Sequence, residues 1–203
     1  MGIADTSIAA ASAAFSGFAA FAAWRASREA NATAASVAQI ERDRWHNDLT
    51  PQLRIRREFT WIAVRFDGPD SLGPVRVRLE VRDDRDRSDD PELAGSVTRQ
   101  MRAQMIWGPL RFRPGIDGAD GLGRTVAAFR LEPGDQTRFA TEPTLRPSWY
   151  EGADGEQRWR EQYRDSPMRL WAVCEADGHR PWRLSFEVAR GNAWTGSGPT
   201  AGA

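Results

Sequence analysis

The chain has 203 residues, enough for one domain with a sizeable core plus an appendage, and its 28 basic and 28 acidic residues cancel. With no overall field to draw it onto nucleic acid or an anionic surface, nucleic acid is not an expected partner. Cys174 is the sole cysteine and His46 and His179 are the only histidines, which excludes an intrachain disulfide, a thiolate metal cluster and a multi-histidine metal site.

From Ile8 to Trp24 no residue is charged, and only Ser12, Ser16 and Gly17 interrupt a run of alanine and phenylalanine. The run is close to the minimum spanning length of ~17 residues. Its driving force is small, because alanine is nearly neutral for insertion while Ile8, Phe15, Phe18 and Phe21 each contribute only about −0.3 to −0.6 kcal/mol. Residues 1–24 are therefore a candidate membrane anchor of marginal strength. Trp24 stands at one end like an interfacial aromatic, Arg25 and Arg28 follow it, and Asp5 precedes the run. By the positive-inside rule the C-terminal side faces the cytoplasm, giving a single-pass arrangement. A cleaved signal peptide fits less well, since no basic residue precedes the run. Ala9, Ala13 and Gly17 recur at i, i+4 and i+8, the small-residue spacing that lets membrane helices approach and self-associate. The alternative is a soluble cytoplasmic chain whose alanine-rich helix packs on copies of itself or on another protein.

A helical stalk is expected over residues 25–49. No proline or glycine interrupts Arg25 to Asp48, good helix formers dominate, and Pro51 stops the helix. Ala26, Ala30, Thr33, Val37, Ile40, Arg44 and Asn47 alternate at spacings of four and three, the seam of a coiled coil. Only Val37 and Ile40 are strong seam residues, so an exposed juxtamembrane helix is expected ahead of a dimeric or trimeric coiled coil.

After Pro51 the hydrophobic period becomes two. Val75, Val77, Leu79 and Val81 alternate with Arg76, Arg78, Glu80 and Arg82, giving one core face and one wet face. The same alternation is read at Leu53 and Ile55, at Ile62, Val64 and Phe66, at Met101, Ala103, Met105 and Trp107, and at Ala127, Phe129 and Leu131. A short strand near Gln136 to Ala140 follows the Pro133-Gly134 turn. Met168 to Cys174 and Trp182 to Val188 flank Asp177-Gly178, a hairpin signal because such a pair supplies positive φ. About eight strands with almost no helix between them predict a mainly β fold over 50–189, an antiparallel β-sandwich with a barrel as runner-up. Cys174 falls on the inward set as a small buried hydrophobe. Residues 190–203, with Trp194 amid glycine, serine, threonine and proline, read as a disordered tail.

The apolar run ending in Trp24-Arg25, the Leu49-Thr50-Pro51 entry, the turn from Leu131 to Asp135, and the Cys174 strand with its hairpin to Trp182 form one pattern along the chain. In that architecture the chain resembles uncharacterised small proteins of high-GC actinobacteria that pair an N-terminal apolar helix and short stalk with an immunoglobulin-like sandwich. The absence of lysine, all 28 basic residues being arginine, agrees with a GC-rich genome. An immunoglobulin domain carries a second core cysteine and a tyrosine two residues before the last one; here the partner cysteine is missing and that position is Ala172. The resemblance therefore implies no functional residue.

The candidate chemistry is sparse. Asp83, Asp84, Asp86, Asp89, Asp90 and Glu92 crowd one stretch, but Arg85 and Arg87 compete for the same carboxylates and calcium-loop spacing is missing, so a solvated connection is expected. Gly115 to Gly123 resembles a single calcium repeat with Asp117 and Asp120 as ligands, yet such repeats work as stacked copies, so a hairpin loop is expected. No nucleophile elbow, zinc-protease motif or phosphate loop is present, and no metal or cofactor is expected. Leu145 to Asp165 departs from the strand pattern. A helix near 155–165 sets Trp159 and Tyr163 on one face, and with Trp149 and Tyr150 they form an aromatic group suited either to anchoring a protein partner or to closing the end of the sandwich. Three functions remain: a non-enzymatic, membrane-anchored protein-binding or accessory module; a soluble structural or assembly subunit with an oligomerising helix; and a carbohydrate-binding or hydrolase domain using those aromatics.

Overall fold

A computed structural model describes residues 24–86, 98, 100–150, 152–191 and 193–197 in full, and residues 3–23, 99 and 192 through their backbone alone. The chain divides into two units, 1–48 and 49–203.

The first unit is a single helix, α1 (Ile3–Asp48). Ala9, Ala13 and Gly17 fall in its stretch 3–23, and their side chains lie outside the described residues. Among the residues described in full no helix is long and apolar enough to cross a membrane, and Ile8 to Ala23 are not among those residues. On the described part of α1, Val37 and Ile40 are exposed, as are Trp24 and Trp45.

The second unit is a β-sandwich. Its strands are β1 (Leu53–Glu58), β2 (Trp61–Phe66), β3 (Val75–Val81), β4 (Leu110–Phe112), β5 (Thr125–Leu131), β6 (Gln136–Pro143), β7 (Met168–Glu175), β8 (Trp182–Val188) and β9 (Gly191–Gly196). They form a five-stranded sheet in the order β4-β6-β2-β1-β9 and a four-stranded sheet in the order β5-β3-β7-β8, with every pairing antiparallel. One apolar layer lies between them. Leu53, Ile55, Ile62, Val64 and Phe66 enter it from one sheet, and Val77, Leu79, Leu170, Ala172, Leu184 and Phe186 from the other. These are the inward positions of period-two runs, so burying them fixes the register: a one-residue slip would put each set in water. Cys174 is buried in the same layer. Two short α-helices, α2 (Arg99–Gln104) and α3 (Gly155–Gln162), and a 3-10 turn over Asp70–Leu72 complete the described part of the unit.

Besides β4, which no alternation in the sequence marks, three segments differ from the sequence expectation. Met101 to Trp107 is not a strand. Thr98 caps α2 by accepting the Met101 N–H at 3.1 Å, which turns the first half of the stretch into helix and leaves Met101 and Ala103 exposed. In β5 the alternation of Ala127, Phe129 and Leu131 is broken. Leu131 and Phe129 face inward opposite Val75 and Val77, but the register then shifts so that Val126 faces Leu79, and Ala127 and Ala128 both stand exposed opposite Arg78. This two-against-one arrangement is a β-bulge. Finally, Gly191–Gly196 is no tail: it pairs with β1 as the edge strand β9, with Trp194 stacked under Arg56 at 4.6 Å.

Candidate functional site

The aromatic segment is built around α3. Gly155 opens the helix where the Tyr150 carbonyl comes so close that a Cβ would overlap it, and Arg146 donates to that same carbonyl at 2.6 Å. The loop 146–150 is thereby fastened against the start of α3. One turn on, Trp159 and Tyr163 project from the same face, their rings 4.8 Å apart, and Trp159 also meets Tyr150 at 5.5 Å and Trp107 at 5.6 Å. Trp149 stacks beyond Trp107 at 6.4 Å. All four aromatics expected at this site are brought together. Trp159 and Tyr163 are interior, 2% and 5% exposed, while Trp149 and Tyr150 are half-buried.

Trp107 completes the cluster; in the sequence its role is hidden by the period-two alternation of Met101, Ala103, Met105 and Trp107. The available signal was Thr98 followed by the helix-forming run Arg99 to Gln104. Its position is set by backbone bonds: its N–H reaches an Asp83 carboxylate oxygen at 3.0 Å and its carbonyl accepts from the Asp84 N–H at 2.8 Å. Arg124 bridges Asp83 at 3.3 Å and donates to the Met105 carbonyl at 2.5 Å. The polar tips of the rings are also met. The Trp159 indole donates to Thr144 at 3.1 Å, the Thr144 hydroxyl donates to the Gly108 carbonyl, and the Tyr163 hydroxyl donates to Asp84 at 3.1 Å. Buried indole and phenol groups need such partners, so the cluster is a rigid second core at the end of the sandwich.

Against this cluster lies a groove of about 280 Å³. Met101, Leu122 and Leu145 line it at 39%, 44% and 62% exposure, Met105 and Trp149 contribute half-buried faces, and Arg111, Gln104 and Ser148 supply polar groups. Arg111 is held by two hydrogen bonds to Glu142, at 2.7 and 2.9 Å.

Asp83, Asp84, Asp117 and Asp120 are each engaged in contacts within the fold. Asp120 accepts from the N–H groups of Leu122, Arg124 and Thr125 and from the Thr125 hydroxyl, at 2.7 to 3.0 Å. Partial burial works to raise its pKa, but these hydrogen bonds outweigh that and hold it below the ordinary value. Asp117, with a positive φ of 52°, accepts from the Ala140 N–H at 2.8 Å and fastens the Gly115 to Gly123 loop to β6. Asp83 and Asp84 support the aromatic cluster, and Arg87, Asp89, Asp90 and Glu92 lie outside the described residues. Among the described residues no group of three or more potential ligands is placed to hold a metal ion. Burial pushes the Cys174 thiol up to about 12. No family model matches the chain, and neither a curated protein nor a solved structure matches it.

Proposed function

We propose that the chain is a non-enzymatic, membrane-anchored protein-binding module, whose sandwich presents the groove beside Trp149 to an apolar segment of a protein partner. The observation that carries this reading is the combination of exposed Met101, Leu122 and Leu145 with a wall of closely packed aromatics. Large apolar side chains gathered at a rigid surface are the usual anchors of protein interfaces, because little conformational entropy is lost when they are covered. At about 280 Å³ the groove falls just below the ~300–1,000 Å³ of sites that enclose a small molecule, and it suits one or two anchoring side chains. Its apolar lining and the interior position of Trp159 and Tyr163 favour this over a sugar-stacking platform. We take the sandwich as immunoglobulin-like in type, on the support of two antiparallel sheets of five and four strands over one core. The anchor is Ile8 to Trp24, and Arg25 and Arg28 set the sandwich on the cytoplasmic side.

The test has two arms. Cells expressing the full chain, or a version beginning at Arg25, are washed at alkaline pH, and only the full chain is expected to stay with the membranes. In the same cells a photo-crosslinker at position 145 is expected to give a discrete protein adduct that Trp149→Ala abolishes, whereas one at position 59, in the exposed turn of the β1-β2 hairpin, gives none. Release of the full chain by the wash refutes the anchor. Equal adducts from both positions refute the groove.

The second reading, a soluble assembly subunit, draws on exposed Val37 and Ile40 of the α1 seam. It requires the full chain to behave as a dimer or trimer that Val37→Asp dissociates.

A further inference from the structure

The two sheets treat their outward arginines differently. On the five-stranded sheet the arginines are tied down: Arg54 and Arg65 share Asp67 at 2.6 and 2.7 Å, Arg56 meets Glu58 at 2.7 Å, and Arg138 reaches the same Glu58 at 3.8 Å. On the four-stranded sheet Arg76, Arg78, Arg130 and Arg183 are exposed, and none makes an ion pair among the described residues. They are neighbours. Arg130 stands opposite Arg76 across β5 and β3, and Arg78 and Arg183 stand on either side of Val173, in the next cross-strand row. One row further lies Trp171, half-buried, with the Arg183 guanidinium over its ring at 4.3 Å and that of Arg82 at 4.8 Å.

We propose that this outer face of the β5-β3-β7-β8 sheet is a docking surface for an acidic segment of another protein, with an apolar side chain against Trp171 and Val173 and carboxylates on the surrounding arginines. The surface is independent of the groove beside Trp149. A guanidinium stacked on an indole keeps its edge N–H groups free and is held in one orientation, so it is ready for bidentate carboxylate binding. Rows in a strand are ~7 Å apart and strands ~4.8 Å apart, so these four exposed arginines and Trp171 form a patch of the size that an interface centre needs. A tryptophan at the centre with arginines around it is the composition enriched at such centres. The face also carries Glu80, Glu175 and Glu187, the last bound to Arg82 and Arg169. These interspersed carboxylates oppose a uniformly anionic lattice such as a phospholipid surface or nucleic acid, and they suit an acidic segment whose carboxylates are spaced by uncharged side chains.

The experiment uses the full chain and a short fluorescent peptide alternating glutamate with leucine, with fluorescence anisotropy as the readout. Binding is expected, and it should be lost at about 1 M salt, where the screening length falls to ~3 Å. Arg76→Glu, Arg183→Glu and Trp171→Ala should each weaken it about tenfold or more. Arg138→Glu, the same charge change on the opposite face, should leave it unchanged, as should Leu145→Glu in the groove. Because the four arginines are exposed and make no ion pair among the described residues, their replacement should leave the thermal transition in place, which separates lost binding from lost folding. No binding, or equal weakening by Arg138→Glu, overturns the proposal as a generic charge effect. Retention on phosphatidylserine vesicles that depends on Arg183, without peptide binding, overturns it in favour of a lipid surface.

Discussion

Trp159 donates its indole N–H to Thr144 at 3.1 Å, and the same Thr144 hydroxyl passes a hydrogen bond on to the Gly108 carbonyl. One buried side chain thus joins α3, the end of β6 and the loop before β4. Replacing Thr144 with valine keeps the shape but leaves a buried donor and a buried acceptor unmet, each costing ~1–3 kcal/mol. Thr144→Val should therefore lower stability by at least ~1 kcal/mol, and Trp159→Ala by ~3–5 kcal/mol through the cavity it leaves. Urea unfolding of the full chain measures both. An unchanged midpoint for Thr144→Val would show that the relay contributes nothing.

Asp120 gives the loop before β5 an acid-sensitive point. Its folded pKa lies below its ordinary 3.8 because the hydrogen bonds it accepts outweigh desolvation. The sign follows from linkage: the stabilisation is fully present above the unfolded value and is lost as pH falls through the folded one. The stability gap between the chain and its Asp120→Asn variant should stay constant above about pH 5 and shrink below about pH 4. A gap that grows on acidification contradicts the assignment.

Cys174 should be chemically silent in the folded protein. With its thiol at about 12 and its side chain in the core, almost no thiolate exists at neutral pH and no reagent reaches it. Iodoacetamide followed by mass measurement should show no adduct in native buffer and one adduct in denaturant. Rapid native alkylation would place Cys174 outside the core.

Gly123 is required twice over. Its φ is +74°, and a Cβ on it would overlap the Phe112 carbonyl oxygen, while Gly123 itself accepts from the Phe112 N–H at 2.9 Å. Gly115 has a similar φ of +73° with open space around it. Gly115→Ala should cost ~1 kcal/mol from backbone strain alone, and Gly123→Ala clearly more, because β4 must also move. Equal losses in thermal unfolding would mean that the close approach is unimportant.

The sequence was most legible where both faces of a strand were written into it. Leu53 and Ile55, Ile62 to Phe66, Val75 to Val81, and the two strands around Asp177-Gly178 alternate so regularly that their inward sets could be assigned without a partner strand. They fold as β1, β2, β3, β7 and β8. Elsewhere the local pattern and the fold part company for identifiable reasons. Met101 to Trp107 alternates by accident, and the Thr98 cap outweighs the pattern. In β5 the bulge at Ala127 and Ala128 reverses the parity half-way along, and a bulge is a property of two paired strands, not of one. In β9, glycine and threonine carry no apolar alternation, and the strand forms because β1 offers it an open edge.

The candidate site divides in the same way. That Trp159 and Tyr163 share a face follows from helical spacing alone, and so does the departure of Leu145 to Asp165 from strand pattern. That Trp107 joins them, that Trp159 and Tyr163 turn inward, and that Met101, Leu122 and Leu145 meet in one groove depend on segments far apart in the chain. By itself the sequence determined a helix followed by a two-faced β domain, because periodicity is a local property that the backbone reads directly. Only the tertiary structure decided which arginines find carboxylates. Asp67 serves Arg54 and Arg65 because β1 lies beside β2, and Arg76 faces Arg130 because β3 lies beside β5; strand order, which no local period encodes, sets the charge pattern of each face.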